Sequence, residues 1–455
     1  MPPGLTNPFA LLLVAITRHI GNLIGSATSV PWRPSTSKLG LEDSDGNQSR
    51  FGAALIFLLY LLPWHNLPSV QIPLPSPESL SHAPHSSVHS ASHLSGRLTL
   101  GSEVTSVPGL MSYREIRETN VGFNASGSDV LVILHIQKTG GTSFEKHIVQ
   151  DLQIKQPCIC WKRRKRCKCP RPGRKNEKPK NPGGNSTTTN SPNTESWLFS
   201  RFSTGWICGL HADWTELTSC VDAELERDHG CASKRRYFYV TMIRDPIHRF
   251  LSEYRHVKRG ATWKASRHLC NGKLATAEEI GNCYPGRTWT GVTLADFLNC
   301  PYNLAFNRQT RMLADLSLVG CYNKSYMPEE ARNRVILASA KRNLEFMAFV
   351  GLTENQRISQ YVFEETFRVR FRIPFTQNED TYSKATLEAA KPDEVEMVRK
   401  VNSLDLELYD FAAKLLHTRF EELKKLDQEF DDHYNYLGEE KGHHFSWDDV
   451  ENEDK

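Results

Sequence analysis

The chain has 455 residues, of which 39% are hydrophobic and 24% charged, with a formal net charge of +4 at pH 7. That is the balance of an ordinary globular chain with room for one large or two ordinary domains and tails to spare. So small a positive excess argues against general nucleic-acid affinity, but its distribution is uneven.

The first distinctive element is FGAALIFLLYLLPW (51–64), the longest apolar run. A typical spanning helix needs roughly 20 residues, so the run is short. Arg18, Arg33, Lys38 and Arg50 precede it, and no Lys or Arg follows until Arg97. That asymmetry predicts a type II anchor, with residues 1–50 as cytoplasmic tail and the body in the lumen. A rival run at Phe9–Ile16 is shorter, and a signal peptide cleaved near residue 64 would lie far into the chain. Residues 65–127 are rich in Ser, Pro and His and cannot bury a core, so they are expected to be a disordered stem.

Folded sequence is expected over 128–437. DVLVILHI (129–136) is a continuous β-branched run, as in a strand buried on both faces of a parallel sheet. It breaks at QKTGGTS, and FEKHIVQDL follows with helical periodicity. His135 falls within the expected strand, and His147 is placed on the outward side of that helix. Next come Cys158, Cys160, Cys167 and Cys169, four of eleven cysteines. In the cytosol such a cluster raises zinc; in a secretory compartment disulfides are favoured, and the odd count leaves one thiol over. Eleven Lys or Arg and one acid, Glu177, lie between Trp161 and Lys180. This block reads either as a solvated loop or as a site for a polyanion. Residues 176–194 are Pro-, Asn-, Thr- and Gly-rich and are expected to be a flexible insertion. Sequons at Asn124, Asn185 and Asn323 agree with a lumenal body.

A second strand–turn–helix unit is YFYVTMI (237–243), RDP and IHRFLSEYRHV; a third strand is expected at Phe346–Leu352 with a helix over Asn355–Arg368. Glu394–Tyr434 carries long helical patterns, and 438–455 is an acidic tail expected to be disordered. Strands alternating with helices predict an α/β fold: a doubly wound parallel sheet with a P-loop-like core and C-terminal helices, its ligand at the carboxyl ends of the strands.

The loop at 137–143 has a clear physical use. Gly140 and Gly141 let the backbone curl around an anion, the N–H groups of Gly141, Thr142 and Ser143 point from the positive end of a helix, and Lys138 adds a charge. A nucleotide kinase is the natural competitor, but its loop places lysine after the glycines. Asp245 mimics a Walker B acid, yet Arg244 precedes it and suits a second phosphate through bidentate hydrogen bonds, with Ser252 two helical turns on. One loop for a 5′-phosphate and Arg with Ser for a 3′-phosphate describe the donor of sulfotransferases, whose transfer needs no magnesium clamp or other metal.

HIQKTGGTSF, RFSTGWICGLHADW and YVTMIRDPIHRFLSEYRHV together resemble the heparan-sulfate 6-O-sulfotransferase family, from about Val130 to about Tyr436. The resemblance implies a P-loop-like sulfotransferase core using 3′-phosphoadenosine 5′-phosphosulfate as co-substrate. Held by His135, Ile136, Gln137, Lys138, Thr139, Gly140, Gly141, Thr142 and Ser143, the donor would also meet Arg244, Ser252, Thr376, Gln377, Asn378, Ser383, Lys384 and Ala385. It also implies His211 as general base, with Lys138 stabilising the leaving phosphate. Lys165, Arg166, Arg201, Trp206, His256 and Trp263 would meet heparan sulfate chains. Residue chemistry alone leaves His211 and His256 level as base, and leaves Trp206 and Trp263 between core and sugar wall. The expected setting is a Golgi membrane with a lumenal catalytic domain. The sequence leaves open a 2-O or chondroitin sulfotransferase, and a non-catalytic heparin-binding membrane protein of the same fold.

Overall fold

The computed structural model describes residues 107–171, 195–229, 234–376 and 382–438. The expected tail and anchor, the insertion at 176–194 and residues 439–455 lie outside them. Among the described residues no helix is long and apolar enough to cross a membrane.

The core is a four-stranded parallel sheet of β1 (Asp129–Leu134), β3 (Leu198–Phe199), β4 (Arg236–Ile243) and β7 (Phe349–Leu352), in the order β3-β1-β4-β7. All six residues of β1 are buried, as are all but the first of β4. This two-sided burial is why both strands read as nearly continuous apolar runs. Their register runs from Asp129↔Arg236 to Leu134↔Thr241. The buried Asp129 carboxylate fixes one end by accepting both Arg236 Nε (2.7 Å) and Nη2 (2.8 Å). From β1 the chain moves outward to β3, then returns across β1 to β4 and on to β7. The reversal leaves a crevice beyond the carboxyl ends of β1 and β4, the place where such sheets bind ligands.

Helices flank the sheet: α1 (Tyr113–Thr119), α2 (Gly141–Gln150), α3 (Trp214–His229), α4 (Pro246–Lys258), α5 (Leu294–Asn299), α6 (Arg308–Leu313), α7 (Glu329–Phe346) and α8 (Gln356–Phe367). Four more follow: α9 (Tyr382–Ala389), α10 (Pro392–Val401), α11 (Ser403–Leu426) and α12 (Phe430–Asn435). The pairs β2 (Leu152–Gln153) with β8 (Arg370–Phe371) and β5 (Leu269–Cys270) with β6 (Lys273–Leu274) are short antiparallel ladders. Both α8 and α11 pack on β7. A separate apolar cluster joins Ile247, Phe250, Leu251 and Tyr254 of α4 to Val292, Phe297 and Leu298.

Several expectations need correction. The folded chain begins well before residue 128: Met111 N–H donates to Tyr237 O at 2.9 Å, and Ser112 with Glu115 caps α1, which buries Tyr113 and Ile116. The third strand starts at Phe349, because Phe346 ends α7 and lies 38% exposed beneath Arg342, one helical turn back. The long C-terminal pattern is three helices, broken at Asn402 and Asp427, whose backbone N–H groups cap the turns before them. His135 follows the strand end rather than lying within it. His147 faces inward, 3% exposed, with Nδ1 2.6 Å from Asp151 Oδ2.

Ten cysteines form five disulfides: Cys158–Cys169, Cys160–Cys167, Cys208–Cys220, Cys270–Cys321 and Cys283–Cys300. The eleventh, Cys231, lies outside the described residues. Asn124 and Asn323 are exposed, each closing a turn through its side-chain oxygen to Ser126 N–H (3.0 Å) and Ser325 N–H (2.9 Å); Asn185 falls outside the description.

Candidate active site

The loop after β1 enters α2 with Lys138 at φ 65° and Gly140 at φ 77°. Left-handed backbone costs a side chain about 1–2 kcal/mol, so a lysine held there is a local cost the surroundings offset. Thr353, just after β7, supplies the hold: its Oγ1 donates to Thr139 O at 2.6 Å and lies 3.1 Å from Ile243 O at the end of β4. The loop is pressed close to its neighbours. A Cβ on Gly140 would fall 3.3 Å from Thr353, and one on Gly141 3.1 Å from the His135 ring. The helix ladder opens with Phe144 N–H donating to Gly140 O. The amides of Gly141, Thr142 and Ser143 precede it, so their N–H groups form the electropositive mouth of α2.

Arg244 directly follows β4, on the strand next to β1. Gln309 clamps its backbone from both sides, accepting its N–H and donating to its carbonyl, each at 2.9 Å. The guanidinium donates through Nη1 to Lys138 O at 3.2 Å, which puts the arginine and the phosphate loop at one place. Asp245 caps α4 by accepting His248 N–H at 2.8 Å. The Walker-like acid thus serves as the helix N-cap. Ser252 is half-buried on α4. Thr376 and Ala385 are exposed, α9 packs along α4, and Arg255 Nη1 donates to Thr386 Oγ1 at 2.8 Å. Gln377 and Asn378 lie outside the described residues, as do the side chains of Ser383 and Lys384.

His211 stands at φ 52° just before α3. A reciprocal cap fixes that helix start: Glu216 N–H donates to Asp213 Oδ1 and Asp213 N–H to Glu216 Oε2, both at 3.0 Å. Burial, then the neighbouring Glu216, pushes Asp213 up to about 7. His211 Nδ1 lies 3.2 Å from the carbonyl oxygen of His135. A carbonyl only accepts, so Nδ1 carries the hydrogen and Nε2 is left as the basic nitrogen. Burial first, then His135, pushes the ring well below the ordinary 6.5, so it is neutral near neutral pH. His135 is itself held through Nδ1 by Glu145, a fully buried carboxylate of α2.

Aromatic rings surround the base: Trp206 at 4.6 Å, His135 at 5.0 Å and Trp263 at 5.1 Å between centroids, with His256 5.5 Å beyond Trp263. Both tryptophans are half-buried walls and not core. The Arg201 guanidinium lies 5.9 Å from Trp206 and 4.6 Å from Phe202. Arg166 is exposed and leans on Gly205, where a Cβ would fall 3.3 Å from its Nη1. Thus Arg166, Arg201, Trp206, His256 and Trp263 assemble around His211. Lys165 is exposed in the tip 161–166, a basic loop that two disulfides pinch at its base.

Sequence reasoning missed Glu253, 1% exposed, which holds this wall upright. Its Oε1 accepts Trp263 Nε1 (3.0 Å) and Arg308 Nη2 (2.5 Å); Oε2 accepts Arg308 Nε (2.9 Å) and Arg249 Nη1 (2.5 Å). The Arg249–Glu253 spacing of four on α4 was a legible helical pair; Arg308 and Trp263 carried no such signal. Thr353 and Gln309, the clamps on the loop and on Arg244, were also unread.

Residues 121–412 match the sulfotransferase family, a span that includes both strand–turn–helix units and the His211 segment, so fold and site together define that class. Heparan-sulfate 6-O-sulfotransferase 2 of Gallus gallus is 50% identical over 313 residues, covering 68% of this chain and 72% of its own length. Heparan-sulfate 6-O-sulfotransferase 3-B of Danio rerio is 50% identical over 310 residues, 68% of this chain and 69% of that protein. Heparan-sulfate 6-O-sulfotransferase 1 of Homo sapiens is 49% identical over 313 residues, 68% and 71% of the two chains. The chain belongs to the heparan-sulfate 6-O-sulfotransferase family.

Proposed function

We propose that this protein transfers a sulfo group from 3′-phosphoadenosine 5′-phosphosulfate to the 6-hydroxyl of glucosamine residues in heparan sulfate. His211 carries the reading: it is neutral, its tautomer is set by the His135 carbonyl, and its basic Nε2 belongs to a ring walled by Trp206 and Trp263. His211 takes the hydroxyl proton as the sugar oxygen bonds to sulfur and the sulfur–oxygen bond to the 5′-phosphate breaks. Base catalysis of this kind contributes roughly 10²–10⁴-fold. The donor supplies the activated sulfo group. The mouth of α2 suits its 5′-phosphate, and Lys138 of the same loop is assigned to the charge that accumulates on the leaving oxygen. Arg244 and Ser252 are assigned to the 3′-phosphate.

The exposed tip 161–166, which includes Arg166, and the half-buried Arg201 present cationic groups to a polymer bearing carboxylate and sulfo groups, with the buried His256 behind Trp263. Five disulfides favour an oxidising compartment. With the flank asymmetry of the 51–64 run, they support a single-pass Golgi protein whose catalytic domain is lumenal. The test is His211→Ala: transfer to N-sulfated chains falls at least a hundredfold while donor affinity, measured by titration, stays within twofold. Loss of donor affinity would make His211 structural and sink the base assignment.

A further inference from the structure

A cavity of about 420 Å³ lies beyond Trp263, within the segment between α4 and α6. Its volume is in the range of roughly 300–1,000 Å³ common to small-ligand pockets, and of its lining only Trp263, Glu253 and Arg308 have a role assigned above. Trp263 belongs to both chambers: its ring stands 5.1 Å from His211, while its Nε1 bonds Glu253, which lines the cavity. The walls are preformed. Cys283–Cys300 closes the segment and Cys270–Cys321 ties its base. Tyr284 and Trp289 stack at 5.2 Å, and Lys264 Nζ lies 4.3 Å from the Tyr284 ring while donating to Gly286 O at 2.6 Å.

The chemistry of this lining is that of an anionic sugar site. The charged groups are three cations, Lys264, Arg267 and Arg308, against one carboxylate, Glu253. Glu253 and Arg308 are spent on each other, which leaves Lys264 and the exposed Arg267 as the charges a ligand would meet. Burial pushes His268 down to about 3, so it adds a neutral ring. Aromatic faces beside cations suit a pyranose that carries a carboxylate or sulfo group. The cavity is also tied to the base segment. Ser266 Oγ donates to Leu210 O at 3.0 Å, next to His211. The Arg267 stem lies against Gly209, where a Cβ would fall 3.7 Å from it.

The geometry points to a second saccharide subsite here, taking a uronate or sulfo-bearing sugar that flanks the reacting glucosamine on the same chain. It rests on the reading of the acceptor given above. Trp263 separates the two sugars, so the polymer would be gripped on either side of the indole and its charge pattern sampled next to the reacting residue.

The experiment is calorimetric titration of the full chain with an N-sulfated hexasaccharide, read as binding and not as transfer. Arg267→Glu is expected to weaken the hexasaccharide tenfold or more, with unchanged melting temperature and unchanged affinity for adenosine 3′,5′-bisphosphate. Trp289→Ala is expected to weaken it as much with that nucleotide affinity unchanged, although its lost packing on Tyr284 and Phe297 lowers the melting temperature. Arg287→Glu is the control, an exposed charge on the same segment outside the cavity, and is expected to stay within twofold of wild type. Affinities of Arg267→Glu and Trp289→Ala within twofold of wild type overturn the subsite. So does an equal loss in Arg287→Glu, which would reveal general charge attraction. A wild type that binds the hexasaccharide but transfers no sulfo group refutes the catalytic reading and not the cavity.

Discussion

Glu253→Gln isolates the charge that organises the acceptor wall. The wild-type carboxylate is buried, which by itself raises its pKa, but Arg308 and Arg249 outweigh burial and hold it ionised. It accepts four hydrogen bonds, three from guanidinium groups that are themselves almost fully buried. Glutamine keeps the volume and one accepting oxygen but strands two buried cations, of which, among the described residues, only Arg249 has a second acid in range, Asp405 at 3.9 Å. Breaking a buried pair in this way costs about 3–5 kcal/mol. With about 2.1 cal/mol/K of unfolding entropy per residue, a folded body of roughly 300 residues loses about 1.6 °C of melting temperature per kcal/mol, so differential scanning calorimetry should show a drop on the order of 5–8 °C. Acceptor KM should rise more than kcat falls, because Trp263 loses its anchor while His211 keeps its own. A drop under about 2 °C with unchanged acceptor KM would show that the network does not position the wall.

The pH profile follows from the depressed His211 ring. It is fully neutral above its ordinary value of 6.5 and protonates only as pH falls well below that, so the acid limb of kcat/KM should lie under pH 6.5. An acid limb centred above 6.5 would point to another base. Gly140→Ala meets a left-handed φ of 77° and Thr353 at 3.3 Å; donor affinity should fall several-fold, since a side chain there costs about 1–2 kcal/mol, and an unchanged donor Kd would remove the loop from the phosphate site. Arg244→Ala should weaken adenosine 3′,5′-bisphosphate far more than adenosine 5′-phosphate; equal losses would contradict its assignment to the 3′-phosphate.

What could be read from the sequence followed local rules. The strands β1 and β4 announced themselves because two-sided burial leaves nearly continuous apolar runs, interrupted inside only by the buried Thr241 of β4. Each ends in a turn whose chemistry, two glycines in one and Arg-Asp-Pro in the other, has few alternative uses. The base segment was readable only through likeness to the family, since His211 and His256 are equivalent on residue type. What separates them is the carbonyl of His135, 76 positions away in the chain. Distance along the chain hid the rest. Glu253 and Arg308 meet across 55 residues, Thr353 reaches Thr139 across 214, and the five disulfide pairings have no local signature. Residues 107–127 were misread as stem because their few apolar side chains, Tyr113 and Ile116 among them, gain burial only by docking on the finished domain.

Mapping the disaccharides produced when the protein, labelled donor and N-sulfated heparan chains are incubated together tests the central claim most directly. The account predicts label on the glucosamine 6-oxygen, undiminished by a magnesium chelator and absent with His211→Ala. Label on the uronic 2-oxygen, or none with intact wild-type protein, would contradict it.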